Sequence, residues 1–325
     1  MDDLNGFLVC IKCITYNQSA YITDAMDGFV MQQTKFPFVA VIIDDASTDG
    51  EQEVIKAYVE EHFGHSQESG FREWETEDAF FTFARHKENE NCHFVAAYLK
   101  RNLFKEPEKK DAVVKEWLEA KYIAICEGDD YWIDPLKLQK QVDFLESHPD
   151  YSMCIHGADI KNESSRSVEA KCESIESREY FSKDVFPDWI VPTASIVYRT
   201  SMVSNYHQIK HEEWSAAGDI VLILKGTHTG RVWGMAEHMS VYRMNDGSIM
   251  AKPVTDESYE KMCNHYKMLL INFPQVDKAY CKNFIASIHY TRFRQGYGLN
   301  TKLRHLYTAV KYSPKYVWCK LMKKL

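Results

Sequence analysis

The sequence predicts an α/β protein built on a mostly parallel central sheet flanked by helices, with a helical C-terminal extension. Three observations carry that prediction. Short β-rich runs end in polar loops and lead directly into helical patterns; the same alternation returns at Lys121; and after about residue 255 the pattern turns helical and tyrosine-rich. Parallel β-α units bind ligands beyond the carboxyl ends of their strands, so the polar loops there are the first places to seek chemistry.

In chain order, "GFLVCIKCIT" reads as a strand followed by a helix in "NQSAYITDAMDGFVMQ", and "FVAVII" as a strand followed by a helix in "DDASTDGEQEVIKAYVEEHF". Residues 64 to 120 are less regular, acidic and aromatic, and read as a lid or an elaborated connection with a helix across "PEKKDAVVKEWLEA". "KYIAIC" is a buried strand, "EGDDYW" its terminal loop and "DPLKLQKQVDFLESHPD" a helix. Asp134 is expected as its N-cap, Pro135 at its first position, and Leu138, Val142 and Leu145 on one face. "YSMCIHG" and "TASIVY" read as further strands on either side of a serine-rich segment around 161 to 180. A helix is expected near Asp219 in "GDIVLILKG", followed by β-like runs through "RVWGMAEHMSVYR". This divides the chain into an α/β domain over 1–254 and a helical extension over 255–325.

With 325 residues, 45% of them hydrophobic, the chain can bury a substantial core. A formal charge of −8 argues against a general nucleic-acid binder, which needs a basic surface to neutralise phosphates. The nine cysteines, many of them inside apolar runs such as "FLVCIKCIT" and "YIAIC", read as reduced, buried small hydrophobes rather than zinc ligands. The acidic start "MDDLNGF" carries no basic n-region, and no 18-residue apolar run occurs, which together predict a cytoplasmic location.

Three carboxylate loops carry the chemistry. In "EGDDYW", Glu127, Asp129 and Asp130 crowd a strand end; carboxylates at that range repel unless a cation joins them, and hard oxygen ligands suit Mg²⁺ or Mn²⁺ bridging to substrate phosphates. A solvated acidic turn is the competing reading. In "IIDDASTDG", Asp44 and Asp45 leave a strand where carboxylates can accept from a base N–H or ribose hydroxyls, while Ser47, Thr48 and Asp49 suit helix capping. Asp219 precedes an apolar helical run, as a general base or as an acid favoured by the helix dipole. His156, His228 and His238 stand in no ligand spacing, and Trp132 and Trp233 suit core packing before sugar stacking.

"ITYNQSAYI", "IIDDASTDG", "KYIAICEGDDYWIDPLKLQKQVDFL", "AAGDIVL" and "SVYRMNDGS" come in the order and approximate spacing of family 2 glycosyltransferases with the GT-A fold. The resemblance covers about residues 7 to 250, and the "EGDDYW" segment most resembles bacterial enzymes of surface polysaccharide synthesis. It implies a nucleotide-sugar donor, with UDP as the commonest carrier, and a carbohydrate or lipid-linked acceptor. Carried over by position, Thr15 and Tyr16 border the nucleotide, Asp45 with Asp44 beside it meets the base, and Glu127, Gly128 and Asp129 occupy the D-x-D motif. Glu127 then lies toward the ribose, Asp129 holds the metal with Asp130 adjacent, and Asp219 matches the acceptor-activating base of an inverting transfer. The motif opens with Glu127 in place of aspartate, and Asn245 stands where many relatives carry a metal-binding histidine, making its carbonyl a further candidate ligand.

Two rivals stay open on sequence. A nucleotidyltransferase would also present carboxylates and a metal, but normally with a glycine- and basic-rich phosphate loop where this chain has "ITYNQSAYI". A non-catalytic nucleotide-sugar-binding partner is the other. The lysine-bearing end "KYSPKYVWCKLMKKL" reads either as a helical cap or as an amphipathic helix making peripheral contact with an anionic membrane.

Overall fold

A computed structural model describes residues 6–66, 70–163, 167–169, 175–186, 190–204, 206, 208–244, 255–295 and 298–322. The chain divides into two compact units. The first comprises Met1–Tyr180, Ile190–Asn205 and Thr229–Ser248, and the second Phe181–Trp189, Tyr206–His228 and Ile249–Leu325.

The first unit is a mixed sheet with helices. Its elements are β1 (Val9–Thr15), α1 (Ile22–Val30), β2 (Phe38–Asp44), α2 (Glu51–His62), β3 (Arg72–Glu75), β4 (Ala79–Arg85), β5 (Cys92–Leu99), α3 (Pro107–Val113), β6 (Tyr122–Ile125) and β7 (Tyr131–Trp132). They continue as α4 (Lys137–Ser147), β8 (Tyr151–Asn162), β9 (Ser167–Glu169), β10 (Glu179–Tyr180), β11 (Val197–Arg199), α6 (Thr200–Ser204) and β12 (Arg231–Met244), with the short α5 (Ser182–Val185) falling in the second unit. Strand order is β10-β12-β8-β11-β6-β1-β2-β5-β4-β3. The central run β6-β1-β2-β5 is parallel, and antiparallel strands continue it on both sides.

Alternation along the central strands explains why both faces are covered. Val9, Ile11 and Cys13 of β1 join Ala40 and Ile42 of β2 in one core, while Cys10 joins Val39, Val41 and Ile43 in the other. The first core receives Ile22, Ala25, Met26 and Phe29 of α1 and Leu138, Val142 and Leu145 of α4, each set at helical spacing. The second receives Val114 and Trp117.

Two expectations are corrected here. Within residues 64 to 120, β3, β4 and β5 extend the sheet, because "CHFVAAYL" is a buried run and "AFFTFAR" pairs antiparallel beside it. The helix expected from Asp134 begins at Lys137. Asp134 instead accepts from the Leu136 amide at 2.8 Å and closes the preceding turn.

The second unit is helical: α7 (Gly218–Thr229, its last residue in the first unit), α8 (Asp256–Asn272), α9 (Lys278–Gln295), α10 (Leu299–Tyr312) and α11 (Pro314–Met322). Val221 and Leu224 of α7 pack with Leu269, Phe273 and Ile285 in one core, and Tyr290, Ala309 and Val317 form a smaller one where α9, α10 and α11 meet. Among the described residues eight cysteines are free thiols; seven are buried, as expected of small hydrophobes, and Cys319 is exposed.

Candidate functional site

Parallel pairing of β2, β1 and β6 brings three loops to one edge of the sheet: Tyr16–Ala20 after β1, Asp45–Gly50 after β2 and Cys126–Asp130 after β6. Thr15 pairs in register with Asp44, so the first two loops leave the sheet side by side. They are laced together by their own polar atoms. The amide of Asn17, a residue held at φ 54°, donates to Ser47 Oγ at 2.9 Å, Asn17 Oδ1 accepts from the Thr48 amide at 2.8 Å, and the Ser19 amide donates to Asp49 at 3.0 Å.

At the centre of that lacing stands Glu51, fully buried at the start of α2. Thr15 Oγ1 donates to it, as do the Gln18 amide at 3.0 Å and Ser47 Oγ at 2.7 Å. Burial raises the Glu51 carboxyl above its ordinary value against the pull of those three donors. Glu51 carries no distinguishing signal in sequence, because an acid in the first turn of a helix is ordinary.

The third loop closes tightly on the first. The Gly128 amide donates to Ile14 O at 3.1 Å, and a Cβ at Gly128 would lie 2.3 Å from Thr15 Oγ1 and 2.6 Å from Gln18 Oε1. Only glycine permits that approach. The three acids of this loop differ in exposure: Glu127 is exposed, Asp129 half-buried and Asp130 buried. Asp130 Oδ1 accepts the Arg243 amide at 2.8 Å, and its Oδ2 is buried with no hydrogen-bond partner among the described residues. Burial, and then the adjacent Asp129 carboxylate, push the Asp130 carboxyl well above the ordinary aspartate range.

Arg243, on β12, was not singled out from sequence. Its guanidinium is buried, ion-paired with Asp24 at 2.5 Å and with Glu163 at 2.9 Å, and faces the rings of Tyr21 and Tyr131 at 4.6 and 4.9 Å. It thereby ties the start of α1 and the loop after β6 to one strand. Trp132 is core, donating to Ala194 O at 2.9 Å, with the buried Lys137 ammonium 4.0 Å from its ring centre.

Asp44 and Asp45 are both buried. Asp44 Oδ1 accepts from Gln52 at 2.6 Å and from the Ser47 amide at 3.2 Å. Asp45 is engaged at both oxygens, by the Leu103 amide at 2.6 Å and by Lys110 of α3 at 2.5 Å. Tyr16 is exposed, whereas Thr15 is buried and spends its hydroxyl on Glu51 and Gln18. Asp219 is half-buried at the second residue of α7, in the second unit, and Asn245 lies outside the described residues.

No group of three or more His, Cys, Asp or Glu side chains able to hold a metal occurs among the described residues. The loop after β6 therefore offers one or two carboxylates, a donor set that suits a hard cation taking its remaining ligands from phosphate and water. The Cys13 and Cys126 thiols nearby are pushed well above their ordinary range by burial, so neither supplies a nucleophilic thiolate. A surface depression lined by Gln33, His86, Glu88 and Gln139 lies elsewhere, by the loops that enter β2 and β5.

Among solved structures, the chain is similar to residues 1–349 of S. aureus TarS in complex with UDP-GlcNAc, with a TM-score of 0.59 and 16% identity, covering 94% of this chain and 81% of that one. It is also similar to the mannosyltransferase PcManGT from Pyrobaculum calidifontis, in complex with GDP-Man and Mn²⁺, with a TM-score of 0.54 and 10% identity, covering 97% and 88%. The chain has the GT-A fold. Among curated sequences, uncharacterised proteins of Mycobacterium tuberculosis and Mycobacterium bovis are 30% identical over 247 residues, 76% of this chain. The match spans 61% of the length of those relatives. No protein-family model matches the chain. Among the described residues, no helix is long and apolar enough to cross a membrane.

Proposed function

We propose that this protein is a glycosyltransferase that moves a sugar from a nucleoside diphosphate donor to an acceptor hydroxyl in polysaccharide or glycolipid synthesis. The observation that carries the reading is the convergence of three polar loops at the carboxyl ends of β1, β2 and β6, in a GT-A fold. Two solved proteins similar to the chain are in complex with UDP-GlcNAc and with GDP-Man.

In this reading Glu127 and Asp129, the two acids of the β6 loop that reach solvent, face the donor. Asp129 would hold Mg²⁺ or Mn²⁺, whose chemistry is to offset charge growing on the departing diphosphate. The mannosyltransferase structure contains Mn²⁺, which supports that assignment. Tyr16 borders the nucleotide, Thr15 holds its loop in place, and the Asp44–Asp45 pair lies on the base side. Asp219 receives the acceptor's hydroxyl proton while the hydroxyl attacks the anomeric carbon opposite the leaving group, a single displacement that inverts the centre.

The test is thermal unfolding of the full chain with UDP-GlcNAc, GDP-mannose and related donors, with and without Mn²⁺, followed by product analysis. A donor at a hundred times its Kd raises stability by about 2.7 kcal/mol. Stabilisation that needs Mn²⁺, with release of nucleoside diphosphate, is expected. Release of pyrophosphate would identify nucleotidyl transfer instead, and binding without turnover across a broad acceptor panel would leave a non-catalytic binding partner.

A further inference from the structure

The second unit presents an apolar stripe that its own core does not use. On α10, Leu299, Leu303, Tyr307 and Val310 are all exposed, Leu299 and Tyr307 at 72% and 71%. At 3.6 residues per turn they fall within about 80° of one another. The buried residues of the same helix, His305 and Ala309, point the other way, into the contact with α9 and α11. On α11, Trp318 is 65% exposed. Such a row of large side chains left in water is uncommon outside interaction surfaces.

The charge around the stripe selects its partner. Residues 278–325 carry eleven Lys and Arg and no Asp or Glu, so with −8 for the whole chain the first 277 residues carry −19. Lys302 flanks the α10 stripe on one side, and Arg304 and Lys311 flank it on the other, about 40–60° beyond its edges. A second copy docking symmetrically would bring these like charges together, and nucleic acid would leave the aliphatic side chains without a partner. An anionic bilayer satisfies both features: its surface charge attracts the basic rim, and its acyl boundary takes up the stripe.

We propose that the exposed face of α10 is a peripheral docking surface for an anionic phospholipid membrane, with Leu299, Leu303 and Tyr307 entering the acyl boundary and Lys302, Arg304 and Lys311 lying among the headgroups. This goes beyond the proposed transfer activity and does not depend on it. The −19 carried by the rest of the chain opposes adsorption by other faces, so attachment through this one is oriented.

The full chain is sedimented with vesicles of phosphatidylglycerol and phosphatidylcholine, and with phosphatidylcholine alone, at low and high salt. Binding to the anionic vesicles only, weakened by salt, is expected, with each neutralised lysine lowering the partition coefficient about fivefold. The exposed double substitution Leu303→Ser with Tyr307→Ser should abolish sedimentation, and Lys302→Gln with Lys311→Gln should reduce it, while circular dichroism and nucleotide-sugar stabilisation stay as in the wild type. Failure of the wild type to sediment at low salt overturns the proposal, as does equal binding to neutral vesicles. So does vesicle binding unchanged by the Leu303 and Tyr307 substitutions, which would leave a polyanion site, or a concentration-dependent dimer lost in that variant without vesicle binding, which would assign the stripe to a second copy.

Discussion

Replacing Lys110 by methionine tests how the base side of the site is built. Lys110 and Asp45 are 2.5 Å apart with side chains 7% and 2% exposed, so neither charge has water to fall back on. Removing one member of a buried pair typically costs 3–5 kcal/mol, because the other is left uncompensated. Here the Leu103 amide still donates to Asp45 at 2.6 Å, which places the expected loss near the lower end, about 3 kcal/mol. For a unit of this size that is a fall of roughly 6–12 °C in Tm. Adding Asp45→Asn should restore much of it, since the amide oxygen can keep the Leu103 bond without a stranded charge, and the coupling measured by the double-mutant cycle should exceed about 1 kcal/mol. Urea unfolding at pH 7, followed by circular dichroism, reads both quantities. A Lys110→Met variant within about 0.5 kcal/mol of wild type would refute the closed pair. It would mean that α3 stands away from β2 in solution and leaves Asp45 open to a donor base.

Gly128→Ala should lose donor binding and roughly 1–3 kcal/mol of stability, because the new methyl meets Thr15 and Gln18 at 2.3 and 2.6 Å; a donor titration and a melt at wild-type values would contradict the close approach. Asp129→Ala should remove most Mn²⁺-dependent donor turnover with the melting curve unchanged, and full activity after exhaustive chelation would reject the metal assignment. Asp219→Asn should lower transfer by roughly 10² to 10⁴ with donor affinity kept, whereas collapse of donor affinity in a folded variant would assign Asp219 to the donor site. Burial lowers the Lys137 ammonium to about 7. The unfolded chain then binds more protons between that value and the ordinary lysine range, so this group's contribution to stability rises with pH across the window. Lys137→Met should therefore exceed wild type most at pH 7 and below, by on the order of 3 kcal/mol once attraction to the Trp132 ring is discounted; a stability difference that does not change up to pH 10 would disprove the buried ammonium.

The parallel core was legible because its strands are buried on both faces and read as unbroken apolar runs ending in polar loops, as "VAVIID" does. β3 to β5 were hidden by their surroundings. "CHFVAAYL" is flanked by "KENEN" and by a lysine-rich segment, and that polar context made an antiparallel sheet extension resemble a lid. The late start of α4 has a local cause, since an aspartate before a proline suits an N-cap and a turn equally, and here the turn holds. Lys110 and Arg243 escaped notice for a related reason. A basic residue in "PEKKD" or "SVYRMN" looks solvated until the chain has folded, and only tertiary contact sets Asp45 against one and Asp24 against the other.

The acids of the β6 loop show why such a motif reads clearly in sequence while its division of labour does not. Glu127, Asp129 and Asp130 are near-equivalent as letters, yet the fold gives them exposed, half-buried and buried positions. Asp130 accepts the Arg243 amide and thereby fixes the loop to β12, so its first duty is to place its neighbours. Gly128 brings the loop within contact of Thr15, and Thr15 is itself held by Glu51. Most polar atoms at this edge of the sheet are therefore spent on one another, which preorganises the loops before any ligand arrives. Glu127 is exposed and Asp129 half-buried, and they are the two acids that the D-x-D resemblance sets toward the donor.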